Sequence, residues 1–565
     1  MAIRRTLVLL LVLLTGAGLI ALLWEVLAPG GWTVAKLVML AAFSGTVPWT
    51  GLCLANGLIG FVVLLTSSDR VGAVFQPGGE LPRTAIAMTV RDEDMSLVLP
   101  PLRRLLRELD LAGAGAAFTV FILSDSRDAA AVAAERRAVA KFRRADRDPA
   151  RIRYRRRTVN TGFKAGNIMD FVDRDADGFE LMLTLDADSA MSAAAVLRLV
   201  RAMQAGPRLG IAQHLTVGRP ASAAFPRLFQ FGMRAGMRTW ATGQAWWQGD
   251  EGPYWGHNAL VRIAPFRTHG RLPRLPGGRH ILSHDLVEAA MMHGAGWGVR
   301  VLLEEDGSWE TNPPALPEFL RRERRWLAGN LQYVHLLRLR GLRAMGRWQL
   351  AQAILLFAGS PFYVVFLLAT AFAAATDRNS PFPASSAGAL ALAWLGALYA
   401  PKLLGYLEVG LSPHKRRRYG GLPRFAAGAA AEFVFMLLVD AVSAVAKTGA
   451  MLHLACGARQ GWTAQNRTDR GVSWREASRL LWPHTLLGVL TFAGFLAGDW
   501  TATLWALPPA GGLLAAVPLC VLSAEPAFGR WLREHQVAAV PEELSAQPRT
   551  TVVAGMALRP QAESD

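Results

Sequence analysis

Residues 179–188 read Phe-Glu-Leu-Met-Leu-Thr-Leu-Asp-Ala-Asp. The apolar run suits a buried strand, and it ends in two carboxylates flanking one small residue. Two similar runs lie upstream. Residues 84–90, Thr-Ala-Ile-Ala-Met-Thr-Val, lead into Arg91-Asp92-Glu93-Asp94, and residues 118–123, Phe-Thr-Val-Phe-Ile-Leu, lead into Ser124-Asp125. A shorter strand is expected at 152–154. Helical patterns separate the runs: one carries Leu97, Leu102, Leu105, Leu106 and Leu109, another covers 129–142. Strands alternating with helices imply a mostly parallel, doubly wound sheet. In such sheets ligands bind beyond the carboxyl ends of the strands. Glu93, Asp125, Asp186 and Asp188 all fall at such ends.

Outward from this segment the texture changes. The runs 6–24 and 37–68 carry no charge, and neither do 348–376, 379–401, 480–498 and 500–524. A hydrocarbon core of roughly 30 Å needs about 20 helical residues, so these read as membrane spans, with 480–498 only just long enough. No small-residue cleavage site clearly ends the first run, which favours an anchor over a removed signal. The 565 residues are 52% hydrophobic, yet Lys+Arg number 61 against 43 Asp+Glu, a formal net charge of +18. The mean hydropathy is +0.24. Both facts fit charged soluble parts alternating with uncharged membrane parts. The basic balance then serves lipid headgroups or phosphorylated substrates, and no nucleic-acid partner is expected. The three cysteines, Cys53, Cys456 and Cys520, sit in or beside apolar stretches and suit neither a zinc site nor a disulfide framework. They are expected to be buried packing residues.

The expected organisation has four parts: two membrane helices over 1–68, a soluble domain over 69–347, a membrane domain over 348–530 and a polar tail over 531–565, disordered from about residue 537. Arg4 and Arg5 place the N-terminus inside, and two spans return the chain there, so the soluble domain is cytoplasmic. The basic stretch His414-Lys415-Arg416-Arg417-Arg418 also belongs inside, as does the Arg-rich loop 459–479. The apolar stretch 425–457 between them contains Glu432, Asp440 and Lys447. Parity requires it to cross twice, as a hairpin, or not at all. Its charges suit either an interfacial helix or the lining of a polar conduit.

On its own Asp-x-Asp is more often a strand-end turn than a metal site. After a long apolar strand, with acidic strand ends upstream, Asp186 and Asp188 become candidates for a hard divalent cation, Mg²⁺ or Mn²⁺. Such an ion takes one or two protein carboxylates and completes its shell from water and phosphates. Asn160-Thr161-Gly162-Phe163-Lys164-Ala165-Gly166-Asn167 adds glycines for close backbone approach and a lysine that can reach a phosphate, without the spacing of a P-loop. The plain alternative is a loop before a helix. Residues 246–258, Trp-Trp-Gln-Gly-Asp-Glu-Gly-Pro-Tyr-Trp-Gly-His-Asn, combine flat rings with polar groups. They suit a sugar platform, with Trp255, His257 and Asn258 as contacts, or else core packing near a bilayer. His214, His257, His280 and His284 are not spaced as a metal set. Asp285 opens an apolar helical stretch, where a carboxylate can cap the helix, act as a base, or both. Arg322 and Arg325 supply fork-like phosphate donors, or else the run 321–325 is a basic patch near the membrane.

Ser124-Asp125, Lys164-Ala165-Gly166-Asn167, Asp186-Ala187-Asp188, His284-Asp285 and Arg325-Trp326 occur in the order seen in processive family-2 glycosyltransferases of the cellulose synthase type, which the chain resembles. Residues 121–128, 248–258, 280–285 and 321–326 are similar to the branch that makes osmoregulated periplasmic glucans, the glucan biosynthesis glucosyltransferase H family. The resemblance implies an α/β GT-A (Rossmann-like) cytoplasmic domain inserted in a polytopic α-helical membrane domain of the bacterial inner membrane. It implies UDP-glucose as donor, a growing glucan as acceptor, and a β-1,2-linked product. Membrane lipids and a periplasmic glucan-modifying protein are further candidate partners. Asp285 is then the general base and Asp186 and Asp188 hold the metal. Glu93, Asp125, Lys164, Asn167, Asp186, Arg322 and Arg325 bind the donor, and Trp326 joins Trp255, His257 and Asn258 at the acceptor. Arg322 stands where cellulose synthases carry Gln, which argues against a plain cellulose synthase. The stretch Gly461-Trp462-Thr463-Ala464-Gln465-Asn466-Arg467 is expected over the pocket, as the gating loop of cellulose synthases is. The rivals are another polysaccharide synthase of this superfamily, a catalytically silent membrane scaffold, and a transporter. The last offers no reason for acidic strand ends.

Overall fold

The structure is a computed structural model that describes residues 1–66, 80–377, 382–458, 466–498 and 500–544. Its centre is a seven-stranded sheet. The strands are β1 (Thr84–Val90), β2 (Phe118–Ser124), β3 (Ile152–Arg156), β4 (Leu181–Asp186), β6 (Leu209–His214), β8 (Ala259–Arg262) and β9 (Gly298–Leu302), in the order β3-β2-β1-β4-β8-β6-β9. The first four are parallel, β8 runs antiparallel to both its neighbours, and β9 is parallel to β6. This is the Rossmann-like GT-A arrangement. The expected strands at 84–90, 118–123, 152–154 and 179–185 are all present, to within two residues.

Alternation along the strands splits the core. Ile86, Met88, Val90, Val120 and Ile122 face the helices Met95–Leu111, Ala129–Arg144 and Ala193–Ala205. Ala85, Ala87, Phe121 and Leu123 face Phe163–Arg174, Ile263–His269 and Asp285–Gly294. With both faces covered, the strands read as continuous apolar runs. Register then levels the functional ends: Val90 pairs with Ser124, and Thr89 with Asp186. A smaller sheet of β5 (Ala190–Met191), β10 (Ser308–Glu310) and β7 (Val217–Gly218) closes over that end, with Trp309 opposite Ala190.

Beneath the sheet lie two amphipathic helices, Ala224–Gln248 and Leu316–Leu331. Phe225, Phe229 and Phe319 pack with Phe435 of the helix Leu422–Ala455. The helices Val34–Thr66 and Ala224–Gln248 approach so closely that a Cβ on Gly60 would meet the Thr239 carbonyl, and one on Gly243 the Asn56 carbonyl. Trp247 Nε1 donates to Asn56 Oδ1 at 2.9 Å in the same contact. An apolar cavity of about 150 Å³, lined by Phe43, Tyr363, Trp394 and Trp505 among others, lies between the long helices and away from the acidic strand ends.

Five helices among the described residues have the length and composition to cross a membrane: Ala2–Leu27, Val34–Thr66, Ala344–Thr376, Leu422–Ala455 and Trp474–Gly498. Two bent pairs add up to two more: Ala384–Leu398 with Ala400–Leu411, bent by 73°, and Thr503–Leu514 with Ala516–Ser523, bent by 61°. The stretch 425–457 is not the hairpin that parity allowed. It belongs to one unbroken helix of 34 residues, and both its flanks touch the soluble domain. Before it, Lys415 pairs with Glu408, Glu408 with Arg238 at 2.9 Å, and Arg238 with Glu305 at 3.6 Å. After it, Arg467 reaches Glu93 and Asp188. Both flanks thus dock on the soluble domain, while the helix itself keeps the length and composition of a candidate span. Its charges have partners on packed neighbours: Glu432 with Lys402 and Tyr406, Asp440 with Tyr399 at 2.7 Å, Lys447 with Glu323 at 2.9 Å.

Two further expectations are corrected. Cys456 is exposed, whereas Cys53 and Cys520 are buried. Residues 537–544 are ordered, because charge holds them; the rest of the expected disordered tail lies outside the described residues. Arg227 is fully buried, donates to the Val537 carbonyl at 2.8 Å and pairs with Glu543 at 2.6 Å; Arg234, nearly as buried, pairs with Glu542 at 2.6 Å. Apolar periodicity gives no sign of this clasp. Removing one side of a buried ion pair leaves an uncompensated charge. The double change Glu542→Ala with Glu543→Ala should therefore lower stability by about 3 kcal/mol or more. Chemical unfolding of detergent-purified protein, followed by tryptophan fluorescence, measures it, and an unchanged midpoint would contradict the clasp.

Candidate active site

The carboxyl ends of β1, β2 and β4 bring Glu93, Asp125 and the Asp186-Ala187-Asp188 turn to one edge. Asp94 caps the helix after β1 by accepting from the Ser96 amide at 2.9 Å. The β4 turn is closed by two bonds: the Ser189 amide donates to the Asp186 carbonyl, and the Asp186 amide to Ser189 Oγ, each at 3.0 Å. Both carboxylates are thereby held beyond the strand.

Each carboxylate here has a cation. Lys164, on the first turn of Phe163–Arg174, is ion-paired to Asp186 and donates to the Gly256 carbonyl at 2.8 Å. Burial alone would raise the Asp186 pKa; Lys164, then His257 and Arg467, outweigh it and hold the carboxyl well below the usual carboxylate range. Arg467 spans Glu93 at 3.4 Å and Asp188 at 3.3 Å. Burial raises the Glu93 carboxyl despite Arg467. Glu310, at the end of β10, lies 3.3 Å from His257 Nε2, and burial pushes its carboxyl up too.

Asp285 opens the helix Asp285–Gly294 as its first residue; the cap position belongs to His284, so the capping alternative does not apply. The Asp285 side chain sits against Gly256, where a Cβ would lie 3.5 Å from its Oδ2. Gly256 has φ +86°, a conformation that glycine adopts without strain. One backbone unit thus separates Asp285 from the Lys164–Asp186 pair. His284 Nδ1 lies 2.9 Å from Glu288, Tyr333 donates to the Ser283 carbonyl at 3.0 Å, and together these contacts fix the turn before Asp285.

Arg322, Arg325 and Trp326 lie on Leu316–Leu331. The Arg322 guanidinium stacks 4.5 Å from the Trp326 ring and 5.4 Å from Phe229. Burial lowers the pKa of Arg322, and it lowers that of Arg325 to about 10, with Asp186 and Asp188 pulling the other way. Trp326 is 41% exposed. Trp255 is half-buried, with its amide donating to Gln213 Oε1 at 2.8 Å.

Three expected contacts are otherwise engaged. Asn167 is buried, donates to the Leu123 carbonyl at 3.1 Å and accepts from Arg155, tying its helix to β2. Asn258 is buried at φ +49° and donates to Ser308 Oγ at 2.9 Å, joining the two sheets. Asp125 accepts both arms of Arg157, at 2.6 and 2.7 Å, which ties it to the end of β3. Arg157 and Glu310 were not foreseen; each lies in a short polar stretch with no apolar period to mark it. Gly461 to Gln465 lie outside the described residues, whereas Arg467, at the end of the same stretch, enters the site.

Asp186 and Asp188, now paired with Lys164 and Arg467, are the candidate carboxylate pair for a divalent cation. Among the described residues no group of three or more His, Cys, Asp or Glu converges as a closed metal cage. An acidic pair without a cage suits a Mg²⁺-like ion that arrives with a phosphorylated substrate and takes its remaining ligands from it.

Residues 181–402 match the family described as Glycosyl transferase family group 2. A protein of Rhodopseudomonas palustris (strain TIE-1) named glucans biosynthesis glucosyltransferase H is 34% identical over 545 residues, covering 92% of this chain and 75% of its own length. The Caulobacter vibrioides (strain NA1000 / CB15N) protein of that name is 34% identical over 563 residues, covering 95% and 84%. A solved mannosyltransferase from Pyrobaculum calidifontis, in complex with GDP-Man and Mn²⁺, aligns at a TM-score of 0.39 and 16% identity, covering 64% of this chain and 96% of that one.

The His284–Glu288 contact makes stability depend on pH. Burial works to lower the His284 pKa, but Glu288 overcomes it and raises the value. A raised histidine stabilises fully below its unfolded value, about 6.5, and the benefit is lost as pH climbs through the folded value. Glu288→Gln should flatten the fall in thermal midpoint as pH rises above about 6.5. An equal fall in both proteins would refute this assignment.

Proposed function

The chain belongs to the glucans biosynthesis glucosyltransferase H family, within glycosyltransferase family group 2, and from that premise we propose that it is an inverting inner-membrane glucosyltransferase that takes glucose from UDP-glucose and builds the β-1,2-linked backbone of an osmoregulated periplasmic glucan. That it is a glycosyltransferase follows from the family. The observation that carries the finer reading is the convergence of Asp285, Gly256, Lys164 and Asp186 at one sheet end.

In this reading Asp186 and Asp188 hold Mg²⁺ or Mn²⁺, which supplies Lewis-acid neutralisation of the diphosphate leaving group. Lys164 and the forked donors Arg322 and Arg325 orient the diphosphate oxygens. Asp285 Oδ takes the proton from the attacking acceptor hydroxyl, and attack opposite the leaving diphosphate inverts the anomeric centre. Trp255 and Trp326 offer ring faces to the acceptor chain. The proposed layout keeps residues 69–347 as the cytoplasmic catalytic domain, between anchors at 1–68 and 348–530. Arg4 and Arg5 support that orientation.

Purified protein in lipid with Mg²⁺ and radiolabelled UDP-glucose should form a β-1,2 glucan, and Asp285→Asn should lower turnover by about a hundredfold or more. Product from the variant at the unaltered rate would remove Asp285 as base. A different linkage would keep the chemistry and reassign the product. Trp255→Ala should raise the KM for acceptor several-fold and leave donor binding near its original value; an equal loss in both would remove the platform.

A further inference from the structure

Arg467 is delivered to the acidic edge by a fixed root. Two residues on, Asp469 accepts from the Ser222 hydroxyl, and Arg470 pairs with Glu318 at 2.9 Å and with Glu476 at 2.7 Å. These contacts join the segment to the interfacial helix Leu316–Leu331 and to the helix Trp474–Gly498. From there the guanidinium divides itself between Glu93 and Asp188. Asp186, the other member of the carboxylate pair, has Lys164 as its own cation. Both carboxylates available to a metal are therefore already neutralised by side chains anchored elsewhere in the fold.

We propose that Arg467 is an exchangeable counter-charge of the donor site, which yields Asp188 to a divalent cation only when a nucleoside diphosphate arrives with it, so that cation and nucleotide bind synergistically. The inference rests on the metal and nucleotide reading given above. A cation arriving alone must displace a fixed positive group to gain each carboxylate, and it finds no third protein ligand among the described residues. Its net gain is small. A diphosphate changes the balance, because its oxygens accept charge-assisted hydrogen bonds from the displaced guanidinium and ammonium while also completing the metal's shell. The coupling is reciprocal: whatever the nucleotide adds to metal affinity, the metal adds to nucleotide affinity.

The test uses the full chain in detergent. Mn²⁺ binding alone is read by electron paramagnetic resonance, and UDP binding with and without Mg²⁺ by calorimetry. In the unaltered protein Mg²⁺ should tighten UDP binding by about tenfold or more. In Arg467→Gln, Mn²⁺ alone should bind several-fold more tightly, and the effect of Mg²⁺ on UDP should shrink to about threefold or less. Arg467→Lys keeps the charge and loses the fork that spans two carboxylates, so it should fall between; it carries the test if the glutamine variant cannot be purified as a monodisperse species. Synergy in either variant equal to that of the unaltered protein, or Mn²⁺ binding weakened by Arg467→Gln, would overturn the proposal. Failure of the unaltered protein to bind both Mn²⁺ and UDP would instead overturn the donor-site reading, and this inference with it.

Discussion

Glu93, Asp186, Asp188 and Glu310 share one end of the sheet, and carboxylates crowded together ionise only where positive charge meets them. Lys164 and Arg467 supply it, His257 lies against Glu310, and each of the three comes from a different part of the chain. Lys164 rides on the helix after β3, His257 lies just before β8, and Arg467 follows the long helix Leu422–Ala455. The electrostatic balance of the edge therefore joins the first half of the sheet, its antiparallel strand and the membrane-associated part. Failure of any one of these elements to dock would leave a buried charge without a partner.

The soluble sheet is built onto two amphipathic helices that pack against the long apolar ones. Ala224–Gln248 presents Phe225 and Phe229 to Phe319 and Phe435, and buried arginines to the carboxylates of the C-terminal clasp. Leu316–Leu331 uses the same aromatic cluster from the other side and lifts Arg322, Arg325 and Trp326 toward the acidic edge. One contact surface thus positions the proposed phosphate donors and attaches the catalytic domain to the long apolar helices. Changes in those helices can reach the site through Phe229 and Arg322 without touching a strand.

How far this architecture was legible depends on what each element needs from its own residues. Strands β1, β2 and β4 are buried on both faces, so continuous apolar runs mark them and the acidic residues that follow. The short strands β5, β7 and β10 carry no such signal; they exist because Asn258 and Ser308 bond across the sheets and Trp309 lies opposite Ala190. Asp285 was legible as a candidate, but the backbone of Gly256 that sets its distance from Lys164 was not, since a positive φ leaves no mark beyond the glycine itself. Asn167, Asn258 and Asp125 carry the right chemistry at the right positions in the chain, and only tertiary contacts reveal that each also bonds within the fold. The clasp at Glu542 and Glu543 was hidden for the converse reason: a polar segment reads as solvated until its buried arginine partners are found.

The unbroken helix Leu422–Ala455 carries opposing signals of hydropathy and charge. Its apolar length permits a crossing, while basic residues at both flanks require a common side. The packing satisfies the second demand: Glu408 and Arg238 hold one flank to the soluble domain, and Arg467 holds the other. The docking of both its flanks is therefore what brings a residue so late in the chain to a site formed by its first strands.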